Sequence, residues 1–210
     1  KTEILQIARR LHEKNLLASA DGNISYRISD QEILITPTGK NKFSLVPEDI
    51  AIITIDNQIL SGNPSSERLM HLEIYKTCPK SRCVVHAHPP TAIALSLSFP
   101  QWKELPAEYL SELILAVGAV PIVPYARPGT LSMGTTLKPY LPEHRVLILS
   151  RHGGISWGED LNEAYNGMER LEHVSLILSK AMMMGTPKPL PQDEVEFLKE
   201  LRKKLGEKTL

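Results

Sequence analysis

The sequence predicts an α/β fold, a mixed sheet covered by helices on both faces. Three observations lead there. Strand-like and helical runs alternate along the chain. Several of the strand runs pair off as hairpins before any helix intervenes, so the sheet cannot be purely parallel. The 210 residues also run on without internal repeat, low-complexity tract or linker, which favours a single domain over 1–210 with a sizeable core.

Residues 1–18 read as an amphipathic helix, with Ile4, Leu5, Ala8, Leu11 and Leu16 on one stripe and charges on the other side. Asp21-Gly22-Asn23 is a turn signal, and strand-like runs follow at 24–28 and 32–36, joined by Ser29-Asp30-Gln31. Residues 36–40 (Thr-Pro-Thr-Gly-Lys) form a loop, and a second hairpin is expected at 51–55 and 58–60 around Asp56-Asn57. Pro64-Ser65-Ser66-Glu67 then opens a helix to about Thr77, with Ser65 or Ser66 as N-cap. The apolar run Cys83-Val84-Val85 leads into His86-Ala87-His88, and Pro89 ends that strand. Helices are expected over 91–97 and 108–116, a strand over 119–123, and a short helix from Gly129-Thr130-Leu131. A strand at 145–149 precedes the His152 loop. A long helix over 161–184 and a charged helix over 194–204 complete the pattern.

Composition narrows the function classes. Lys plus Arg and Asp plus Glu each total 24, so no overall field draws the chain to nucleic acid or to an anionic membrane, and neither is an expected partner. The longest apolar stretch, 113–125, is interrupted by Gly118, Pro121 and Pro124 and does not read as a membrane span. Charges run through the N-terminal stretch, unlike a signal peptide, and the start at Lys1 rather than Met implies a few preceding residues. Cys78 and Cys83 could form a disulfide or half a metal site, but two cysteines read more simply as reduced thiols of a cytoplasmic protein.

The chemistry is carried by histidines. On a strand, His86 and His88 at i and i+2 share a face, roughly 6–7 Å apart, so both rings can converge on one ion. His152, in Ser150-Arg151-His152-Gly153-Gly154, follows another apolar strand. Three imidazoles leave a zinc coordination position open, as catalytic zinc requires. Glu67 follows two serines at a helix start, where free N–H groups bind anions. Gly22-Asn23 and Thr38-Gly39 offer similar donors, and backbone nests with hydroxyls can hold a phosphate without arginine or lysine. Among the rest, His71 lies one helical turn after Glu67 and reads as a core histidine or a support behind that acid. His12, His144 and His173 read as helix-face or surface residues, Lys40 as exposed, and Arg202-Lys203-Lys204 as a solvated helix end.

Taken in order, D-G-N-I-S (21–25), T-P-T-G (36–39), P-S-S-E (64–67), V-V-H-A-H-P (84–89) and R-H-G (151–153) resemble the class II aldolase/adducin family, over roughly residues 11–184. Within it they are most similar to the aldolases of the L-fuculose 1-phosphate type. The resemblance implies a three-layer α/β/α sandwich with a central mixed, largely antiparallel sheet. It implies a homotetramer with active sites at subunit interfaces. It assigns zinc to His86, His88 and His152, with Glu67 as a further ligand when substrate is absent and as the catalytic acid/base. It assigns the substrate phosphate to Gly22, Asn23, Thr38, Gly39, Ser65 and Ser66. A tyrosine serves such aldolases as proton donor; Tyr109 is the candidate here and Tyr125 the competitor.

The activity so implied is cleavage of a sugar 1-phosphate to dihydroxyacetone phosphate and an aldehyde, with zinc stabilising the enediolate as a Lewis acid. Methylthioribulose-1-phosphate dehydratase and L-ribulose-5-phosphate 4-epimerase share the family, although the epimerase serine pair is typically followed by Asp rather than Glu. A non-catalytic, adducin-like protein-binding module is the alternative outside enzymology. Three departures from the family pattern stand out. Arg151 occupies a position that is often Asn, residues 99–105 do not align, and no tyrosine lies beyond Met184.

Overall fold

The computed structural model describes residues 1–206 and 208–210. Its elements are α1 (Thr2–Glu13), β1 (Asn23–Arg27), β2 (Glu32–Ile35), β3 (Ala51–Thr54), β4 (Ile59–Ser61), α2 (Arg68–Thr77), β5 (Cys83–Ala87), α3 (Pro90–Ser98), β6 (Ile122–Val123), α4 (Leu131–Thr135), β7 (Val146–Leu149), β8 (Gly153–Gly158), α5 (Leu161–Met184) and α6 (Gln192–Lys204). The eight strands form one sheet in the order β4-β3-β2-β1-β5-β8-β7-β6. Every described pairing is antiparallel except β6 with β7, so the sheet is mixed and largely antiparallel, as expected.

Period-two alternation divides the core between the two faces. From β5, Cys83, Val85 and Ala87 pack on one face with Ile24 and with residues of α1, α3 and α5. Val84 packs on the other with Ile33, Ile35 and Ile155 and with residues of α2 and α4. The result is a three-layer α/β/α sandwich, and His86, two residues after Val84, faces the α2 side. α6 closes a small satellite cluster of Val195, Leu198 and Ile114.

Helix ends show how tertiary partners replace local caps. Pro89 precedes α3 and offers no side-chain cap. Glu172 of α5 supplies one, accepting the N–H groups of Thr91 and Ala92 and the Thr91 hydroxyl. That arrangement binds α3 to α5 and places a carboxylate at the positive end of the helix dipole. In α5 itself, Asp160 caps in the ordinary way by accepting from the Glu163 N–H at 2.8 Å.

Four expectations need correction. α1 ends at Glu13 rather than 18, because the chain turns through left-handed Asn15 and Ser19. α2 starts at Arg68, with Glu67 at the N-cap position and neither serine capping it. Ser65 Oγ instead accepts the Glu67 N–H within the preceding turn. Residues 107–117 form a short turn and a π-helical stretch (113–117) rather than one α-helix. β8 was not anticipated from sequence. Its glycines weaken a strand signal, but they are what lets β8 approach β5 and α5 closely.

Cys78 and Cys83 are free and buried, and burial pushes the Cys78 thiol up to about 12. No helix among the described residues is long and apolar enough to cross a membrane.

Gly167 of α5 packs its backbone directly on β8. A Cβ there would sit 2.2 Å from Ser156 Oγ and 2.9 Å from Val146 Cγ2. On an exposed helix a Gly→Ala change stabilises by about 0.5–1 kcal/mol. Here overpacking, costing about 1–3 kcal/mol, outweighs that gain. Gly167→Ala is expected to lower the urea midpoint of unfolding, and adding Ser156→Ala is expected to restore part of it. An unchanged or higher midpoint in Gly167→Ala would contradict this packing.

Candidate functional site

Three chain segments deliver the imidazoles to one place. His86 comes from within β5, His88 from the residue just past its end, and His152 from the turn that joins β7 to β8. Left-handed Arg151, φ 62°, makes that turn. Because β5 and β8 are antiparallel neighbours with Ala87 opposite Gly154, the end of one strand meets the start of the other. Glycine is required opposite the rings: a Cβ on Gly153 would lie 2.8 Å from His86 Cε1 and 2.5 Å from the Ala87 carbonyl.

The ligand atoms of His86, His88 and His152 all lie within 4.8 Å of one another. Glu67, at the start of α2, faces them, its Oε2 3.4 Å from His86 Nε2 and its Oε1 3.2 Å from His152 Nε2. The tautomers are set from behind. His86 Nδ1 donates to the Gly154 carbonyl at 2.8 Å, leaving Nε2 with its lone pair. His88 Nδ1 lies 3.4 Å from the Asp21 carboxylate, whose charge favours a proton on that nitrogen without a hydrogen bond to it. The two Nε2 atoms, 3.3 Å apart, therefore turn lone pairs toward each other and toward an anionic carboxylate. Such a set of donors is matched by a divalent cation between them, so the residues present fit a metal ion.

Burial works to raise the Glu67 carboxyl, but the imidazoles of His152 and His86 and the Asn23 amide outweigh it and hold the group well below the usual carboxylate range. Burial lowers His88 to about 4, helped by His86 and His152 and opposed by Asp21 and Glu67. A neutral imidazole is the ligand form.

The expected phosphate residues lie on three turns that the backbone stitches together. Ile24 N–H donates to Thr36 Oγ1 at 3.0 Å, Ser65 N–H to the Thr36 carbonyl at 3.1 Å, and Thr38 N–H to the Asn63 carbonyl at 3.2 Å. Gly22 and Gly39 are both left-handed, with φ of 68° and 69°. At Gly22 a Cβ would also collide with the His86 carbonyl, 2.7 Å away, whereas at Gly39 the space is open. Asn23 and Ser65 are buried; Ser66 and Gly39 are exposed. Tyr109 stands apart. It ends the turn at 107–109, half-buried against the main core, and among the described residues nothing hydrogen-bonds it to the histidines or Glu67. Tyr125 is exposed.

Two participants, Asp21 and Lys42, escaped the sequence reading, and a third, His71, was read there as a core histidine or a support behind Glu67. Asp21 opens the first motif and could have been found as a carboxylate within a histidine's reach. Lys42, buried in a loop, donates to the Ala20 carbonyl at 2.7 Å and the Lys40 carbonyl at 2.8 Å, and so bridges the first two phosphate turns. Burial lowers its ammonium to about 8 against the opposing charges of Asp21 and Glu67. No local signal marks it, since Lys40, two residues earlier, is solvent-exposed and pairs with Asp49. His71 is fully buried and hydrogen-bonds Asn23 Oδ1.

The chain shares this architecture with characterised enzymes. A family model described as Class II Aldolase and Adducin N-terminal domain matches residues 2–178. A 3-oxo-tetronate 4-phosphate decarboxylase of Escherichia coli O6:H1 is 32% identical over 180 residues, 85% of each chain. An L-fuculose phosphate aldolase of Methanococcus vannielii is 34% identical over 173 residues, 82% of this chain and 92% of that one. The solved structure of an L-fuculose 1-phosphate aldolase superposes with a TM-score of 0.85 at 29% identity, covering 96% of this chain and 95% of the other. With the motifs, the layered sheet and most of its length in common with these proteins, the chain belongs to the class II aldolase and adducin N-terminal domain family, on its enzymatic side.

Proposed function

We propose that this enzyme is a metal-dependent carbon–carbon lyase that releases dihydroxyacetone phosphate from a phosphorylated ketone, by retro-aldol cleavage of a sugar 1-phosphate of the L-fuculose 1-phosphate type. The observation that carries the reading is the convergence of three imidazoles, two of them in contact with Glu67, beside three turns that the backbone stitches together.

In that reaction the C3–C4 bond breaks, the C4 hydroxyl loses its proton, and the electron pair stays on C3. The products are an aldehyde and the enediolate of dihydroxyacetone phosphate. His86, His88 and His152 are the residues that hold the metal. A divalent cation in their grip supplies Lewis-acid stabilisation of the negative charge that builds as the bond breaks. Zinc suits the donor set, and cobalt or manganese fits the same atoms. Glu67 delivers the proton to C3, as general acid after a turn as base. Gly22, Asn23, Thr38, Gly39, Ser65 and Ser66 hold the phosphate and with it the register of the reacting carbon. Tyr109 is the proposed group for the proton at the aldehyde oxygen. Self-association into a homotetramer with interfacial sites belongs to the same reading.

One observation favours a second reading. A 3-oxo-tetronate 4-phosphate is a β-keto acid. Losing C1 as carbon dioxide leaves its electron pair on C2 and yields the same three-carbon enediolate. No proton need be handled on the departing side. Among the described residues nothing hydrogen-bonds Tyr109 to the histidines or Glu67, which suits that simpler departure.

Coupled detection of dihydroxyacetone phosphate tests both readings. Fuculose 1-phosphate is expected to yield it together with an aldehyde. Release only from the β-keto acid would select decarboxylation, and water loss from methylthioribulose 1-phosphate would overturn both. Glu67→Gln is expected to lower kcat by about 10²–10⁴-fold, the usual worth of a general acid/base. Chelation is expected to abolish turnover and a stoichiometric divalent ion to restore it. A chain that binds no metal and turns over equally well with chelator present would exclude the mechanism.

A further inference from the structure

Glu67, His71 and Tyr75 stand at i, i+4 and i+8 along the start and body of α2, while Asn23 and Ser25 stand at i and i+2 on β1. A helix advances about 6 Å in four residues and a strand about 6.6 Å in two. The two series therefore run side by side, rung for rung. Each rung is hydrogen-bonded. Asn23 Nδ2 donates to Glu67 Oε2 at 2.9 Å, and His71 Nε2 meets Asn23 Oδ1. Ser25 Oγ lies 2.7 Å from His71 Nδ1 and 2.7 Å from the Tyr75 hydroxyl. Ser25 and His71 are fully buried, and Asn23 and Tyr75 nearly so.

Donor and acceptor rules permit one direction through these atoms. An ionised carboxylate only accepts, so Asn23 must present its NH2 to Glu67 and its oxygen to His71. His71 Nε2 must then donate. In a neutral ring Nδ1 is left as acceptor, so Ser25 gives its only hydrogen to Nδ1 and receives that of Tyr75. Burial lowers His71 to about 3, which keeps the ring neutral. All the hydrogens in the chain point toward Glu67. The second N–H of the Asn23 amide stays uncommitted, next to the turns proposed for the phosphate.

We propose that Tyr75, Ser25 and His71 are positioning residues that lock the Asn23 amide in one orientation, and through it hold Glu67 Oε2 as a fixed acceptor beside the histidines. The proposal rests on Glu67 being the acid/base of the reaction above. Without the chain behind it, the Asn23 amide could flip and turn an oxygen toward the carboxylate. Glu67 would lose its donor and its fixed rotamer. Flipped amides are an ordinary hazard where nothing imposes the orientation. Here the tautomer of a buried histidine imposes it.

Four measurements test the idea. His71→Leu, which removes both hydrogen bonds, is expected to lower kcat by about 10–100-fold, with a smaller rise in KM because Asn23 also lies among the turns proposed for the phosphate. His71→Gln, which keeps a donor for Asn23 and an acceptor for Ser25, is expected to recover at least about 5-fold of that loss. In a Glu67→Gln background His71→Leu is expected to change the residual rate by less than about 2-fold, since both substitutions strike one unit. Equal losses in the Leu and Gln variants, or additive effects with Glu67→Gln, would overturn the proposal. The arm independent of turnover is nitrogen NMR of the histidine side chains in the metal-free wild-type chain, which needs no variant to fold. His71 is expected as a neutral ring protonated on Nε2 at pH 7. A ring protonated on Nδ1 alone would reverse the chain, and one protonated on both nitrogens would leave Ser25 no acceptor; either would end the proposal, even if dihydroxyacetone phosphate release were established. Conversely, the expected tautomer in a chain that releases no dihydroxyacetone phosphate would leave the donor chain standing and remove only the reaction assigned to it.

Discussion

The position of β5 between β1 and β8 is the constraint on which everything else rests. Its ladder sets His86 opposite Asn23 on one side and opposite Ile155 on the other. Hydrogen bonds on both edges leave the strand no freedom to slip, and a one-residue slip would turn His86 to the other face of the sheet. That register brings residues 23, 67, 86, 88 and 152 to one spot, although they are far apart along the chain. Gly22 and Gly153 are part of the same constraint, because any side chain there would strike the backbone of β5.

The site is expensive to assemble, and its surroundings show how the expense is met. Imidazoles facing one another and a half-buried carboxylate repel unless something positive lies among them. The fold prepares for that by fixing protons on the far side of the rings, at the Gly154 carbonyl for His86 and beside Asp21 for His88. The chain from Tyr75 to Glu67 is hydrogen-bonded throughout, in contrast with His152 Nδ1 and the hydroxyls of Ser156 and Ser175, which are buried and find no partner among the described residues. The difference is functional in sense. An unpaired hydroxyl under α5 costs about 1–3 kcal/mol and moves nothing that matters, whereas an unpaired amide beside Glu67 would leave that carboxylate, the proposed acid/base, without a fixed direction.

Loop and helix ends follow the same logic. α2 begins one residue after Glu67, so the carboxylate sits at the N-cap position without serving as a cap. Its charge gains from the helix dipole while both oxygens stay available to the histidines and Asn23. Lys42 performs the corresponding task for the turns. One buried ammonium holds the Ala20 and Lys40 carbonyls, and thereby sets Gly22-Asn23 at a fixed distance from Thr38-Gly39. Donating to carbonyl oxygens, it shapes the two turns through their backbone rather than through their hydroxyls and amides.

From residues alone the periodic elements were legible. The long helix over 161–184 needs no context, because its start carries Asp160 and its end carries Gly185. The hairpins β1–β2 and β3–β4 announce themselves by alternation and turn chemistry, and the His-x-His pair by its spacing. Local sequence could not disclose β8, whose glycines read as a loop until β5 and β7 flank it, nor the interruption of the chain between 107 and 117. Nor could it disclose Lys42, Ser25 and Tyr75, since each is an ordinary residue in its own neighbourhood. Sequence by itself determined which atoms are capable of holding a cation and moving a proton, because that is a property of side-chain chemistry. Only the tertiary structure decided which nitrogen of each ring is free and which way the Asn23 amide faces, because those choices are made by hydrogen-bond partners that arrive from distant strands and helices.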